Sequence, residues 1–238
     1  MIYGLWSLED SAAQESAMDA KQRLLAEIVA EVRETARYTG RAALNPRVMA
    51  AMAAVPREAF VPPVRVEEAY VNAPLPIGYG QTISQPYIVA LMTDLLDADA
   101  GDTVLEVGCG SGYQAAILAR IVKHVYSMDI VEELADQARE RLRRLGCVNV
   151  EVRCGDGYSG WPVHAPFDAI VVTAAAPWIP PALIEQLKPG GRLVIPIGQP
   201  FSAQELVVVE KDAGGAIRQR AVLPVAFVPL VGGYPEEA

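Results

Sequence analysis

A glycine-rich run offers the clearest chemistry in this sequence. It reads Val-Leu-Glu-Val-Gly-Cys-Gly-Ser-Gly over residues 104–112 and contains Gly108, Gly110 and Gly112. Because glycine carries no side chain, a ligand can lie directly against the backbone at these positions. The helical pattern that follows offers unpaired N–H groups to the same ligand. The run predicts a site for an adenine nucleoside cofactor, at the carboxyl end of the first strand of an α/β sheet.

Three acidic positions accompany this loop. Asp129 ends the next strand-like run, 17 residues after Gly112, where its carboxylate can accept hydrogen bonds from both ribose hydroxyls or cap the next helix. Asp156-Gly157 follows the third strand-like run, and a short loop there can reach the adenine, although Asp-Gly turns are common. Glu106 lies inside the first strand, where a buried carboxylate needs donors. It either steadies the loop or meets an ammonium group of the ligand.

The loop is compatible with two cofactors. Residues 110–115 match the Gly-x-Gly-x-x-Ala dinucleotide fingerprint, a short pattern that often arises by chance. The spacing Glu106-x-Gly-x-Gly-x-Gly resembles instead the loop that binds S-adenosylmethionine in methyltransferases. The local motif favours the methyltransferase modestly, and the nicotinamide cofactor stays open.

A second segment is notable for its lack of charge. Residues 69–93 contain no Asp, Glu, Lys or Arg, although such residues make up 21% of the chain. One interpretation is a buried connector whose polar groups satisfy neighbouring backbone. Another is that Ser84 or Gln85 begins a helix through Pro86. On the residues alone, these structural interpretations are favoured.

Hydrophobic periodicity assigns the elements that must position these residues. Asp19 is predicted to cap a helix over about 20–38, and Asn45-Pro46 to begin a short helix that ends before Val55-Pro56. Prolines between residues 62 and 76 indicate an extended segment, which a helix over roughly 86–96 follows. Beyond residue 102, strands alternate with helices, which predicts βαβ units and a parallel sheet. The strands are predicted at 103–108, 124–129, 148–154, 168–174 and 192–197, and the helices at 112–122, 131–145 and 180–188.

The end of the chain follows a different pattern. Residues 204–211 and 217–228 are strand-like around Asp212-Ala-Gly-Gly215, which predicts an antiparallel hairpin at the sheet edge. The expected fold class is α/β, a doubly wound and mostly parallel sheet with a C-terminal antiparallel hairpin and an N-terminal helical extension. We expect a flexible tail over 1–18, an N-terminal segment over 19–98 that carries the uncharged stretch, and a cofactor-binding α/β domain over 99–238.

The overall composition and charge indicate which classes of partner the chain is expected to bind. The 238 residues, 52% of them hydrophobic, suffice for one sizeable core. A formal net charge of −9 argues against a general nucleic-acid binder, which would carry a basic face. Three cysteines without framework spacing, Cys109, Cys147 and Cys154, indicate reduced thiols. No apolar run is long enough to span a bilayer. We expect a cytoplasmic monomer that binds neither membrane nor nucleic acid and holds no metal.

Eight blocks, taken in order, resemble the protein-L-isoaspartate O-methyltransferase family. The resemblance covers about residues 30–230. Any one block is weak, whereas their order and spacing are specific. The blocks are Val55–Pro62, Ala73–Pro86, Val104–Ala115, Gly155–Tyr158, Ala165–Ile170, Thr173–Pro177, Leu187–Leu193 and Val225–Leu230.

The resemblance implies a Rossmann-like enzyme that moves a methyl group from S-adenosyl-L-methionine to the free α-carboxylate of L-isoaspartyl residues in damaged proteins. S-adenosyl-L-homocysteine is then the second product, and the methyl ester leads to a succinimide and partly to aspartate. The family's active-site serine falls on Ser84, and substrate contacts on Gln81, Thr82 and Ile83. Its cofactor contacts fall on Pro86, Ile88, Val89, Glu106, Gly108, Cys109, Gly110, Gly112, Asp129, Ile130, Asp156 and Gly157.

Three positions depart from the pattern of many relatives. Histidine often stands at the position of Tyr79, aspartate at that of Asn72, and glutamate at that of Asp129. The last change is conservative. Tyr79 replaces a titratable histidine and Asn72 replaces a charged aspartate, and both positions are expected on the substrate side.

The uncharged stretch suits this reaction. A carboxylate with a pKa of about 4 is already ionised at neutral pH, so no general base is needed, and His124 and His164 are interpreted as structural. Attack of an anionic oxygen on a sulfonium methyl neutralises charge, which an uncharged and water-poor pocket favours. Residues 61–81 and the C-terminal hairpin are the expected walls of a peptide groove.

Three other functions remain open from the sequence. The chain could methylate a small molecule or RNA, although its acidic balance disfavours RNA. It could be a nicotinamide-dependent oxidoreductase that uses residues 110–115. It could also be a non-catalytic protein that binds the cofactor and has lost turnover through the changes at Asn72 or Tyr79.

Overall fold

The secondary structure alternates as predicted, with a helical N-terminal part. The computed structural model describes residues 6–199 and 202–233. The α-helices of this part are α1 (Trp6–Thr39), α2 (Pro46–Ala54), α3 (Pro86–Leu95), α4 (Tyr113–Ala119), α5 (Glu132–Arg144) and α6 (Pro181–Glu185). Its β-strands are β1 (Leu75–Gly78), β2 (Gln81–Ile83), β3 (Thr103–Val107), β4 (His124–Asp129), β5 (Val150–Cys154), β6 (Phe167–Val172), β7 (Leu187–Ile197), β8 (Gln204–Lys211) and β9 (Ile217–Val225).

The main sheet has the order β5-β4-β3-β6-β7-β8-β9. Strands β3 to β7 pair in parallel, and β8 and β9 are antiparallel. The chain leaves β3 toward β4 on one side and later returns to β6 on the other, so the strand order reverses beside β3. In such sheets, ligands bind in the crevice outside the carboxyl ends of the strands at this point. The predicted doubly wound fold with its C-terminal hairpin is confirmed.

Both faces of the sheet are covered, because neighbouring side chains along a strand point to opposite faces. In β3, Val104 belongs to one apolar cluster and Leu105 to another, and both are fully buried. The first cluster contains residues of α1 to α5, and the second contains Leu183 of α6. Burial on both faces explains why β3 and β6 are almost continuously apolar.

Helix α1 begins earlier than predicted. It starts at Trp6, so Asp19 lies inside the helix and does not cap it. The sequence between Gly4 and Gly40 contains neither glycine nor proline and is rich in alanine and glutamate, which favours an uninterrupted helix. Gly40, at φ +71°, ends it by donating its N–H to the Ala36 carbonyl. Of the predicted tail, residues 1–5 lie outside the described residues.

The segment predicted as extended over residues 62–76 instead contains a 3₁₀ turn, Pro63–Glu68, and ends in the first strand of a hairpin. Strands β1 and β2 pair in an antiparallel manner, and Tyr79 lies at the tip between Gly78 and Gly80. All three residues have positive φ, which the two glycines adopt without strain. The predicted start of α2 is confirmed, since the Asn45 side chain accepts a hydrogen bond from the Arg47 N–H before Pro46 enters the helix.

Strand β9 is one edge of the sheet, because it pairs only with β8. Its outer residues Arg218, Gln219 and Arg220 are exposed. Asp212 forms the turn before it and accepts hydrogen bonds from the N–H groups of Gly214 and Ala216, which confirms the predicted hairpin turn. Among the described helices, none combines the length and apolar character that crossing a membrane requires.

Candidate active site

The glycine loop is fastened to two neighbouring strands. The N–H groups of Gly108 and Cys109 donate to the Met128 carbonyl at 2.8 and 2.9 Å. The Thr173 hydroxyl, just past β6, donates to the Gly108 carbonyl. A Cβ at Gly108 would lie 2.6 Å from the Thr173 oxygen, and the φ of +94° also favours glycine. Glycine is therefore needed here for the contact between strand ends.

Asp129, at the end of β4, binds main-chain N–H groups on both sides of it, and its predicted contact with a ribose stays a prediction. One carboxylate oxygen accepts the Gly110 N–H at 2.7 Å, and the other accepts the Val131 N–H at 3.0 Å, before α5. Its side chain also lines the cleft above the loop, beside Ile130. The carboxylate thus fixes the loop, and it lies at the surface of the cleft.

The cleft at the carboxyl ends of the strands encloses about 750 Å³, part of it open to solvent. Among the described residues that line it, Asp129 is the only charged one. This composition suits a cationic or neutral ligand with hydroxyl groups. The predicted site residues that line the cleft are Gln81, Thr82, Ile83, Ser84, Val89, Gly108, Cys109, Gly110, Asp129, Ile130 and Gly157.

Five predicted cofactor residues lie elsewhere. Gly112 packs on α5, since a Cβ there would lie 3.3 Å from the Ala138 side chain. Pro86 is buried at the start of α3, and Ile88 lines a neighbouring groove. The two remaining residues, Asp156 and Glu106, have partners of their own.

The Asp156 carboxylate is directed to the end of the chain. It accepts hydrogen bonds from the N–H groups of Tyr158 and Gly233, at 2.9 and 2.8 Å. The preceding residues Val228–Val231 line the cleft. In this arrangement Asp156 holds the C-terminal segment against the cleft, and its neighbours Gly155 and Gly157 form the wall.

Glu106 lies beneath the glycine loop. It is fully buried, and one carboxyl oxygen is hydrogen-bonded to the Ser127 hydroxyl. The other carboxyl oxygen has no hydrogen-bond partner among the described residues. Burial raises the pKa of Glu106 to about 8 and outweighs the opposing effect of the Ser127 bond; the Asp129 charge raises the pKa further.

Glu106 makes a testable contribution to pH-dependent stability. In the unfolded chain the carboxyl ionises near pH 4.5, whereas in the folded chain it holds its proton up to about pH 8. Its stabilising contribution is therefore complete below pH 4.5 and is lost as the pH rises to about 8. We expect the thermal midpoint of ligand-free Glu106→Gln to depend less on pH between 5 and 8 than that of the wild type. The exposed Glu67→Gln control should keep the wild-type slope, and an unchanged slope in Glu106→Gln would contradict the assignment.

A second cavity adjoins the cleft. This groove of about 1050 Å³, open to solvent, runs between α1, the start of α3 and the end of the C-terminal hairpin. Thr82 and Ser84 line both the cleft and the groove. Within the described part of the chain, the half-buried Ser84 hydroxyl has no hydrogen-bond partner. Of the segments expected to wall a peptide groove, the C-terminal hairpin lines this cavity, whereas residues 61–81 contribute only Pro74 and α1 lies in their place. That a peptide binds in this groove stays a prediction.

Among the described residues that line the groove, the one charged side chain is that of Glu31, which comes from α1, far in the sequence from most of the groove's other residues. The Glu31 carboxylate accepts a hydrogen bond from the Asn72 amide at 2.8 Å. The Asn72 carbonyl oxygen in turn accepts the Tyr87 N–H in the first turn of α3. Burial raises the pKa of Glu31 despite the bonds from Asn72 and Gln85. An aspartate at position 72 could still cap α3, but its second oxygen would face Glu31.

We therefore expect Asn72→Asp to lower the free energy of unfolding at neutral pH by about 2 kcal/mol, because it sets two carboxylates against each other in a half-buried site. Chemical denaturation measures the change. The double variant Glu31→Gln, Asn72→Asp should recover most of the loss, since an amide again faces a carboxylate. A double variant no more stable than Asn72→Asp would show that repulsion is not the cause.

The other departure, Tyr79, lies away from the reacting region. It is exposed at the tip of the β1–β2 hairpin and lines neither the cleft nor the groove. Nearer the base of the hairpin, the Ile77 side chain lies over the glycine loop, since a Cβ at Gly110 would be 3.4 Å from its terminal methyl group. The hairpin therefore covers the loop through Ile77.

Several lining residues were missed by sequence reasoning. Tyr113 and Gln114 follow the loop directly, Thr173 and Val228–Leu230 belong to blocks noted only for their resemblance, and Val231 follows the last block. Gln114 is buried, donates to the Thr93 hydroxyl at 2.8 Å, and leaves its carbonyl oxygen without a partner. A ligand with an N–H donor would satisfy that oxygen. Together with the Asp129 acceptors, this donor requirement fits S-adenosyl-L-methionine, whose ammonium and ribose hydroxyls are donors.

Comparison with known proteins gives one consistent result. The family model for protein-L-isoaspartate(D-aspartate) O-methyltransferase matches residues 30–234. Protein-L-isoaspartate O-methyltransferase 2 of Syntrophobacter fumaroxidans is 60% identical over 223 residues, which cover 94% of this chain and 90% of that protein. Protein-L-isoaspartate O-methyltransferase 1 of Cupriavidus necator is 54% identical over 224 residues, which cover 94% and 86%.

Solved structures agree with the sequence relatives. A protein-L-isoaspartate O-methyltransferase is similar with a TM-score of 0.75 and 29% identity, covering 90% of this chain and 66% of that one. A Plasmodium falciparum structure, provisionally described as the same enzyme in complex with S-adenosyl-L-homocysteine, has a TM-score of 0.69 and 25% identity, with 86% and 97% covered.

Proposed function

Because the chain belongs to the protein-L-isoaspartate(D-aspartate) O-methyltransferase family, we propose that it methylates the free α-carboxylate of L-isoaspartyl residues in damaged proteins. The observation that carries this proposal is the meeting of cleft and groove at Thr82 and Ser84. A cofactor in the cleft and a peptide in the groove would have their reacting atoms on either side of these two residues. The methyl ester would then close to a succinimide and return in part to aspartate, by chemistry of the substrate itself.

Ser84 is proposed to orient the carboxylate. S-adenosyl-L-methionine, when bound, supplies an electrophilic methyl group on a sulfonium. The free Ser84 hydroxyl can donate one hydrogen bond to the substrate oxyanion and hold it in line. Alignment of this kind accounts for several kcal/mol of rate enhancement, about 7 or more in favourable cases. No general base is required, because the carboxylate is ionised. Both histidines lie away from the cleft, against the Tyr126 ring.

The cofactor side of the site is proposed to rest on the loop and Asp129. The Asp129 carboxylate, already fixed by two N–H groups, would accept the ribose hydroxyls. The Gln114 carbonyl oxygen would accept from the ammonium group. Val89 and Ile83 would supply an apolar wall that excludes water from the reacting atoms.

We further propose a division of labour along the chain. Residues 19–98 supply the substrate side, through α1 and the β1–β2 hairpin, and residues 99–238 hold the cofactor. The thiols of Cys109, Cys147 and Cys154 are all free, which supports a cytoplasmic location. The formal charge of −9 supports protein rather than nucleic-acid substrates, and we propose a monomer.

Methyl transfer to a matched peptide pair tests the function. Labelled S-adenosyl-L-methionine is incubated with an isoaspartyl peptide and with its aspartyl twin. We expect label in the isoaspartyl peptide alone, and equal label in both would overturn the substrate assignment. Calorimetric titration with S-adenosyl-L-homocysteine and with NADH separately tests the nicotinamide alternative, for which only the first should bind.

A further inference from the structure

A buried arginine lies directly behind Ser84. Arg57 is fully buried in a short 3₁₀ turn, Arg57–Phe60. One terminal nitrogen donates to the Ser84 carbonyl at 2.8 Å and to the Ala73 carbonyl at 3.3 Å. These carbonyls belong to the two ends of the β1–β2 hairpin. The guanidinium thus ties the base of the hairpin together at the residue proposed to orient the substrate.

The charge of Arg57 is not balanced by an ion pair. Its Nε and its other terminal nitrogen make no hydrogen bond of good geometry, although the Tyr113 hydroxyl is close enough to favour the charged form. No carboxylate among the described residues lies within ion-pair distance. The neighbouring Glu58 carboxylate is engaged by the Tyr70 hydroxyl. The Tyr113 ring, a wall of the cleft, lies 4.9 Å from the guanidinium carbon. Burial lowers the pKa of Arg57 to about 10, so the group stays protonated at neutral pH.

A cation buried without a counter-charge is costly, and a fold that retains one requires an explanation. Two main-chain carbonyls and an aromatic ring offset part of the cost. A negative charge bound close to Ser84 would offset the rest of the cost of burying the Arg57 charge. The substrate brings such a charge, because its reacting group is a carboxylate that must reach Ser84 before methyl transfer.

We propose that Arg57 is a positioning residue that attracts the substrate carboxylate to Ser84 by its charge and fixes Ser84 by its hydrogen bonds. This inference rests on the proposed function, since it assumes that Ser84 holds that carboxylate. The guanidinium acts from behind the main chain and does not touch the reacting oxygen. It therefore favours binding of the free acid over any neutral analogue, and it favours departure of the neutral methyl ester.

The test compares two peptides that differ only in that charge. One contains isoaspartate, and in the other the free α-carboxylate is replaced by a carboxamide of nearly the same shape. Their Kd values are measured calorimetrically in saturating S-adenosyl-L-homocysteine. We expect the wild type to prefer the acid at least about tenfold, the order expected for opposite charges a few ångströms apart in a half-buried site.

Variants separate the charge from the fold. Arg57→Gln should bind both peptides with similar Kd values, whereas Arg57→Lys, which keeps the charge, should retain most of the preference. Arg153→Gln is the matched control, because Arg153 also donates to one carbonyl, Gly160, stacks on an aromatic ring, Trp161, and has an unpartnered Nε. It should leave the preference for the acid unchanged.

Each outcome decides between the alternatives. If Arg57→Gln weakens both peptides equally and preserves the ratio of their Kd values, Arg57 is structural and the inference fails. If the variants do not fold, the wild type still decides, because equal affinity for acid and carboxamide rules out the attraction. If the wild type methylates isoaspartyl peptides but binds the acid and the carboxamide equally, only this inference is wrong. If it does not methylate them at all, the proposed function is wrong as well.

Discussion

Replacing Ser84 with aspartate is expected to lower kcat/KM for an isoaspartyl peptide by about 10³-fold. The new carboxylate would lie where the substrate carboxylate must arrive, and two like charges about 4 Å apart in a half-buried site repel by about 4 kcal/mol. The cofactor cleft extends well beyond Ser84, so the Kd for S-adenosyl-L-homocysteine should change by less than about threefold. Methyl transfer kinetics and calorimetry measure the two quantities.

Ser84→Asn is the control, because it has nearly the same size as aspartate without the charge. Its amide can still donate to the carboxylate, so kcat/KM should fall by only about tenfold. Equal losses in the two variants would mean that bulk and not charge is responsible. Retention of wild-type activity in Ser84→Asp would remove Ser84 from the path of the carboxylate altogether.

Replacing Asp129 with asparagine is expected to raise the Kd for S-adenosyl-L-homocysteine by about 10²-fold. Both carboxylate oxygens accept main-chain N–H groups, those of Gly110 and Val131. An asparagine amide can accept only one of them and opposes the other with its own N–H. The variant loses an acceptor for the ribose and loosens the loop, at about 1–3 kcal/mol for each unsatisfied group.

Asp136→Asn gives the comparison, at an aspartate on the following helix, α5. Asp136 is exposed and pairs with Arg139 one turn away, an interaction of little energetic value at the surface. The Kd for S-adenosyl-L-homocysteine should remain within about twofold of the wild type. A similar Kd in Asp129→Asn would exclude the Asp129 carboxylate from cofactor binding.

The parallel core of the fold could be predicted because its signals are local. Strands β3 and β4 were placed within one residue, since each contains β-branched or aromatic residues and ends at a glycine or a charged residue. The Asn45 cap and the position of Asp129 at the end of β4 were predicted correctly, because caps and strand ends are signalled by residues close by in the sequence. The predicted start of α1 was wrong. The prediction relied on Asp19 as a cap, although residues 5–39 contain neither glycine nor proline and favour one continuous helix.

The substrate side could be predicted only in part, because its partners are distant in sequence. Glu31 reaches Asn72 across 41 residues, and Arg57 reaches Ser84 across 27. Hydrophobic periodicity predicts helices and strands, but it does not predict which side chains meet across such separations. The chain segment around Ser84 is uncharged as a sequence, yet the fold brings one carboxylate and one guanidinium to it from outside. Asp156 shows the converse, since its spacing suits a cofactor contact while its partner is the Gly233 N–H.

The exposed edge strand β9 bears on whether the protein aggregates with the damaged polypeptides that it is proposed to methylate. Aged and partly unfolded polypeptides present free strand edges, which add readily to any open sheet. Two arginines flanking Gln219 would set like charges against each other if a second copy docked there, and Pro224 offers no N–H to a visiting strand. The edge formed by β9 is thus poorly suited to adding a further strand from another chain.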